Sequence, residues 1–237
     1  MGEGFVTAFD PVAPASLAES IGRALESSEA GGLDDVNTKI RGPGVYALYY
    51  IGDSPLYTPL AELNREAVRA GLGPIAPIYV GKAVPRGGRS RSVELKDLEA
   101  FGGEPALAKR LIEHRESISL VKNLREEDFL VRGVLLAPVW ISLGESLLIQ
   151  YYKPVWNLVV TGFGNHDPGK KGRGNQRKSA WDTLHPGRTE TWSAKLRPSK
   201  KSAEEIKADL EKHWRGWRDR VVENLPWERR RLLEGPP

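Results

Sequence analysis

Two tyrosines, an arginine, a histidine, a lone carboxylate and an asparagine stand in this chain where they could act together. Gly44-Val45-Tyr46 opens an apolar, β-rich run (GVYALYYI, 44–51), and Tyr79-Val80-Gly81-Lys82 lies in a second strand-like stretch that starts after Pro77. Arg110 and His114 are four residues apart in a helical stretch and so project from one face. Glu145 sits among Leu143, Leu147, Leu148 and Ile149, where an unpaired carboxylate is costly. Asn157 follows, just past Lys-Pro-Val-Trp. A guanidinium suits an anion, a carboxylate suits a hard divalent cation, and His and Tyr can move a proton. Each residue also has an ordinary reading. Strand tyrosines pack cores, an Arg and His at this spacing form a solvated pair, and an Asn after Pro154 caps a turn.

Other chemistries are excluded by what is missing. The 237 residues contain no cysteine, which removes disulfides, thiolate zinc sites, iron–sulfur clusters and a cysteine nucleophile. Four scattered histidines, at 114, 166, 185 and 213, do not make a zinc site. Gly81-Lys82 fails as a phosphate loop, because Ala76 and Ala83 stand where Gly and Ser or Thr are needed. No Ser/His/Asp set and no two-metal carboxylate cluster stands out. The longest apolar runs fall far short of the roughly 18 residues that span a bilayer. Met-Gly-Glu-Gly-Phe lacks the features of a signal peptide, so a cytoplasmic protein without membrane contact is expected.

The elements that must position these residues follow from periodicity. Residues 16–27 read as a helix with Ser16 and Glu19 in capping-box spacing. Strands are expected at 44–51, 77–80 and 129–136, and helices from Pro105 and over 142–152. A long insertion carrying Pro55 and Pro59 separates the first two strands. Residues 202–222 read as one amphipathic helix capped by Ser202 with Glu205. Its apolar stripe could pack on its own core, dock a second protomer, or grip DNA through Arg215, Arg218 and Arg220. The order β–β–α–β–α within 44–157 implies a small core of mixed α and β structure.

Charge adds a direction. Lys and Arg number 35 against 31 Asp and Glu, a net +4. The excess is concentrated in two Gly-rich stretches. One, 82–91, holds Lys82, Arg86, Arg89 and Arg91 with no acid. The other, 166–200, holds nine Lys and Arg, among them Lys195, Arg197 and Lys200, against Asp167, Asp182 and Glu190. Basic loops of this composition suit a phosphate backbone, although solvated loops look similar.

Taken in order, Gly-Val-Tyr, Tyr-Val-Gly, Arg-x-x-x-His, Glu and Asn resemble the GIY-YIG nuclease family. Tyr50-Ile51-Gly52 spells the second half literally, but it would continue the strand of Tyr46 and leaves no room for a turn. Tyr79-Val80-Gly81 is therefore the better match. Gly-Phe-Gly-Asn-His-Asp-Pro-Gly (162–169) and Trp-Asp-Thr-Leu-His-Pro-Gly-Arg (181–188) further resemble type II restriction endonucleases of this family.

The resemblance implies an α+β fold in a single compact domain spanning 1–237. A GIY-YIG catalytic core, a short antiparallel or mixed sheet flanked by helices, would occupy 44–157. Long insertions, an N-terminal helix, a basic DNA-binding extension at 158–200 and a helical segment at 201–237 would surround it. It implies hydrolysis of double-stranded DNA at a specific, palindromic, GC-rich site, with one Mg2+ (Mn2+ substituting) on Glu145. Arg110 would neutralise the phosphoryl oxygens, either Tyr46 or His114 would be the base, and Tyr79 would position water or phosphate. Asn157 would orient metal-bound waters or Glu145, and Lys82 would join the catalytic set. Arg86, Arg89, Arg91, Arg173, Asn175, Gln176 and Arg177 would read bases. Lys170, Lys171 and Lys178 would contact phosphates, and Arg188 is grouped with these DNA-binding residues. A homodimer on DNA and a cognate DNA methyltransferase are implied partners. The alternatives are a structure-specific or homing nuclease, or a non-catalytic DNA-binding protein on the same scaffold.

Overall fold

A computed structural model describes residues 14–84, 103–165, 175–188 and 196–234. The fold is mixed α+β around a four-stranded antiparallel sheet. The strands are β1 (Gly31–Gly32), β2 (Gly44–Tyr50), β3 (Tyr79–Ala83) and β4 (Phe129–Leu135), in the order β1-β4-β2-β3. β2 is buried along its whole length. Tyr46, Leu48 and Tyr50 enter one core, while Val45, Ala47 and Tyr49 enter a second. Burial on both faces explains why this strand reads as an unbroken apolar run rather than an alternating one. β1, two glycines at the edge, has no apolar alternation and was invisible to that criterion.

Helices α1 (Pro14–Ser27), α2 (Thr58–Arg69), α3 (Ala106–Ser119) and α4 (Pro138–Tyr152) flank the sheet. α1 and α4 cover one face through Ile21, Leu25, Ile141 and Leu148. α2 and α3 cover the other through Leu60, Leu63, Leu107 and Leu111. α1 begins before Ser16, so Ser16 lies inside the helix rather than capping it. α4 begins four residues ahead of the expected Ser142, with Pro138 in its first turn, where a missing N–H costs nothing.

The remaining helices are α5 (Val155–Leu158), α6 (Ala180–Leu184), α7 (Ala203–Trp214), α8 (Trp217–Glu223) and α9 (Trp227–Glu234). The single helix expected over 202–222 is thus two. The chain turns at Gly216, whose φ of 61° lies in the left-handed region and ends the helical path. The cap is as expected: Ser202 and Glu205 form a reciprocal box. Ile206, Leu210 and Trp217 pack into the same core as the sheet. Trp214 Nε1 donates to Leu56 O, and Arg218 pairs with Glu66 at 2.7 Å. Arg220 donates to the carbonyls of Arg215 and His213. Of the three roles open to this segment, packing on its own core is the one observed.

The insertion between β2 and β3 is tied down by one side chain. Asn64, fully buried on α2, donates to Tyr50 O and Ala76 O and accepts from the N–H groups of Ile75 and Ala76. The amide joins the end of β2 to the approach to β3. Asn64→Ala strands four buried backbone groups, and the expected loss is about 3 kcal/mol of folding stability. Urea unfolding checks it; a loss under about 1 kcal/mol would mean that the insertion is held elsewhere.

Candidate active site

The register of β2 and β3 brings the two tyrosines together. Tyr46 lies directly opposite Gly81 on β3 and Gly133 on β4. A Cβ on Gly81 would fall 2.4 Å from Tyr46 Oη, so the glycine of Tyr-Val-Gly makes room for the phenol. Tyr79, two residues earlier, directs its ring to the same side, with centroids 6.3 Å apart. Tyr50-Ile51-Gly52 instead runs off the end of β2, away from this cluster.

α3 supplies the next two groups. Buried His114 sits with Nε2 2.5 Å from Tyr46 Oη, hydrogen bonded, and its ring meets Tyr79 edge-on at 5.3 Å. Arg110, one turn earlier, donates to Glu113 Oε2 at 2.8 Å and to Gly164 O at 2.9 Å. Burial pushes the Tyr46 phenol well above its ordinary range; Tyr79 adds to the rise, and Arg110 opposes it without prevailing. Neighbouring cations alone would lower this pKa. Desolvation of a fully buried ring outweighs them. Burial also raises Tyr79.

Glu145 projects from α4 to β3, where Lys82 Nζ lies 2.8 Å from Oε2 and 3.4 Å from Ser142 Oγ. The carboxylate is near enough to both phenols to raise their pKa values. No group of three or more His, Cys, Asp or Glu that could together hold a metal ion occurs among the described residues. One partly exposed carboxylate is a fitting holder for a hard ion that keeps most of its water and takes substrate oxygens.

Asn157 has a different job from the expected one. Its Oδ1 accepts from Val80 N, and its Nδ2 donates to Val80 O, each at 2.9 Å. With Trp156 N donating to Ile78 O, it covers the open edge of β3 as a strand partner would. The amide therefore sets Tyr79 and Gly81 in place, and its polar atoms are engaged with backbone rather than with Glu145.

Arg188 also departs from expectation. The residue is 1% exposed, so its guanidinium lies inside the protein rather than on a DNA-facing surface. It pairs with buried Asp182 at 2.7 Å, donates to Phe163 O and Gly162 O, and lies 4.4 Å over the Trp181 ring. The Trp-Asp-Thr-Leu-His-Pro-Gly-Arg segment is thus a buried clamp on the loop at 162–164. Asn175, Gln176 and Arg177 are exposed and Lys178 is half-buried. Their segment runs beside residues 196–198 through an isolated Arg177–Arg197 bridge. Exposed Arg197 and Lys200 share that ribbon, which their place in the basic stretch hinted at. Arg86, Arg89, Arg91, Lys170, Lys171 and Arg173 lie outside the described residues.

Phe163 was not legible as a site residue. It is buried, stacks on His114 at 4.4 Å and meets Tyr79 edge-on at 5.1 Å. A phenylalanine between two glycines carries no chemical signal in sequence.

His185 closes the clamp, accepting from Tyr57 Oη at Nε2 (2.7 Å) and donating from Nδ1 to Asn123 Oδ1 (3.0 Å) in its neutral form. Burial, with Arg188 adding to it, pushes its pKa down to about 3. The unfolded chain then binds a proton that the native protein refuses, so His185 withdraws stability as pH falls from about 6.5 toward 3. The slope approaches about 1.4 kcal/mol per pH unit. Urea titrations at several pH values should show His185→Gln flatter than wild type across this window; parallel curves would contradict it.

Residues 38–214 match the model of the Eco29kI GIY-YIG domain, more than half of the chain. No curated protein matches it. Among the described residues no helix is long and apolar enough to cross a membrane. With the tyrosine pair, Arg110, His114 and Glu145 gathered at one sheet edge, the match has a structural counterpart. The chain belongs to the Eco29kI GIY-YIG domain family, restriction-type nucleases that act on DNA and generally use a divalent metal ion.

Proposed function

We propose that the protein is a Mg2+-dependent type II restriction endonuclease that cuts double-stranded DNA at a GC-rich palindrome, with two protomers each cutting one strand. The hydrogen bond between Tyr46 and His114 carries this reading, because it joins two groups that can pass a proton, a phenol and an imidazole. Water attacks the phosphorus, Tyr46 takes its proton, and the Tyr46 hydroxyl proton passes to His114 Nε2. The relay avoids a free phenolate, which the raised pKa of Tyr46 makes scarce near neutral pH. Arg110 exchanges Glu113 for the phosphoryl oxygens and offsets charge as five-coordinate phosphorus forms. Tyr79 orients the attacked phosphate. Glu145 holds the metal ion, which when bound supplies Lewis-acid stabilisation of the phosphoryl and leaving oxygens. Lys82, the present partner of Glu145, turns to the DNA backbone.

The ribbon of Asn175, Gln176, Arg177 and Lys178, with Arg197 and Lys200 beside them, gives an exposed cationic edge. The stretches holding Arg86, Arg89, Arg91, Lys170, Lys171 and Arg173 would complete sequence reading. Such an enzyme calls for a cognate methyltransferase that protects host DNA. Incubation with unmethylated phage DNA and Mg2+ tests the reading. Discrete bands are expected; a smear, junction-only cleavage, or binding without cleavage would overturn it.

A further inference from the structure

The loop at 162–164 touches more of the catalytic set than any role yet assigned to it requires. Phe163 lies on the imidazole of His114 with ring planes 18° apart, and Gly164 O accepts from Arg110 Nη2 at 2.9 Å. Behind the loop, Arg188 donates to Phe163 O at 2.7 Å and to Gly162 O at 3.1 Å. Asp182 holds Arg188 through Nε and Nη2, at 3.0 and 2.7 Å. Asp182 is itself fixed by the capping box of α6: Ser179 Oγ donates to its Oδ2, and its backbone N–H donates back to that hydroxyl. Both partners of this ion pair are almost wholly buried. Such a pair is a poor source of stability but a rigid geometric constraint when every donor is used.

We propose that Phe163, clamped from behind by the buried Asp182–Arg188 pair, is the positioning residue that holds the His114 imidazole in line with Tyr46. An imidazole can rotate about its side-chain bonds, and a proton relay needs Nε2 to stay aimed at one oxygen. The flat contact with Phe163 blocks that rotation on one side, and the hydrogen bond to Tyr46 and the edge-on Tyr79 ring restrain it further. The chain runs from Asn165 directly into the basic stretch of the sequence. The inference rests on His114 being that acceptor.

The test is a double-mutant cycle on single-turnover cleavage, with DNA affinity measured in parallel. Phe163→Leu removes the flat ring and is expected to slow cleavage by about 10- to 100-fold, as misplacement of a reacting group does. DNA affinity should stay within about twofold, because Phe163 faces the interior. In a His114→Gln background the same change should cost little more, because its effect passes through His114. Phe163→Met fills more of the buried space and supplies the same cycle if the leucine variant is poorly folded. Arg188→Lys, which keeps the charge but not the fork, should reproduce the slow cleavage. A folded Phe163 variant cutting at the wild-type rate, or a loss that multiplies in full with His114→Gln, would overturn the proposal. A His114→Gln protein that cuts normally would instead remove the acceptor assignment itself, and that arm is read separately.

Discussion

Glu145→Gln is expected to abolish cleavage while DNA binding persists. Glutamine is nearly isosteric and can still accept from Lys82 at the observed 2.8 Å contact, so the fold of α4 against β3 should survive. What disappears is the formal charge that retains a hard cation. Loss of several kcal/mol of transition-state stabilisation corresponds to at least about a thousandfold in rate. Affinity for DNA should be unchanged or slightly tighter, since one negative charge leaves a surface that meets phosphates. Single-turnover cleavage with saturating protein, beside an equilibrium binding titration, separates the two effects. A Glu145→Gln enzyme that cuts at a wild-type rate would remove the metal assignment.

The second large effect concerns the proton. Tyr46→Phe deletes one buried oxygen and is expected to lower the single-turnover rate by about 10²- to 10⁴-fold, the usual worth of a positioned proton carrier. It also leaves His114 Nε2 without its 2.5 Å partner, which adds a stability cost of about 1–3 kcal/mol. His114→Gln should fail differently. With the acceptor gone, the remaining base is the Tyr46 phenolate, and its pKa lies well above 10 because the ring is buried. The phenolate fraction then grows about tenfold per pH unit throughout the accessible range. Log rate for His114→Gln should climb with pH and show no plateau by pH 10, while wild type levels off. A flat profile for His114→Gln, or Tyr46→Phe at full rate, would break the relay.

The sequence made β2 and β4 legible because the first is apolar on both faces and the second carries its own apolar run. The choice of Tyr79 over Tyr50 also followed from sequence, since a hairpin partner needs a connection and Tyr50 has none. Backbone and second-layer roles were not legible. Asn157 resembles a polar site residue, yet its amide spends both hydrogen-bonding atoms on Val80. Arg188 sits in a basic stretch, and nothing in local composition indicates that Asp182 and two carbonyls draw it inside. The break at Gly216 escaped the periodicity because the apolar spacing resumes in phase at Trp217. In each case a partner distant in sequence decides the outcome, and side-chain type alone does not name that partner.

The proposed function requires the candidate site to cut DNA at one defined sequence. Sequencing the ends of the fragments produced from unmethylated DNA with Mg2+ tests it most directly. Every end is expected to fall at a fixed position within the same short, GC-rich palindrome, on both strands. Ends scattered over unrelated sequences, or confined to branched structures, would contradict it.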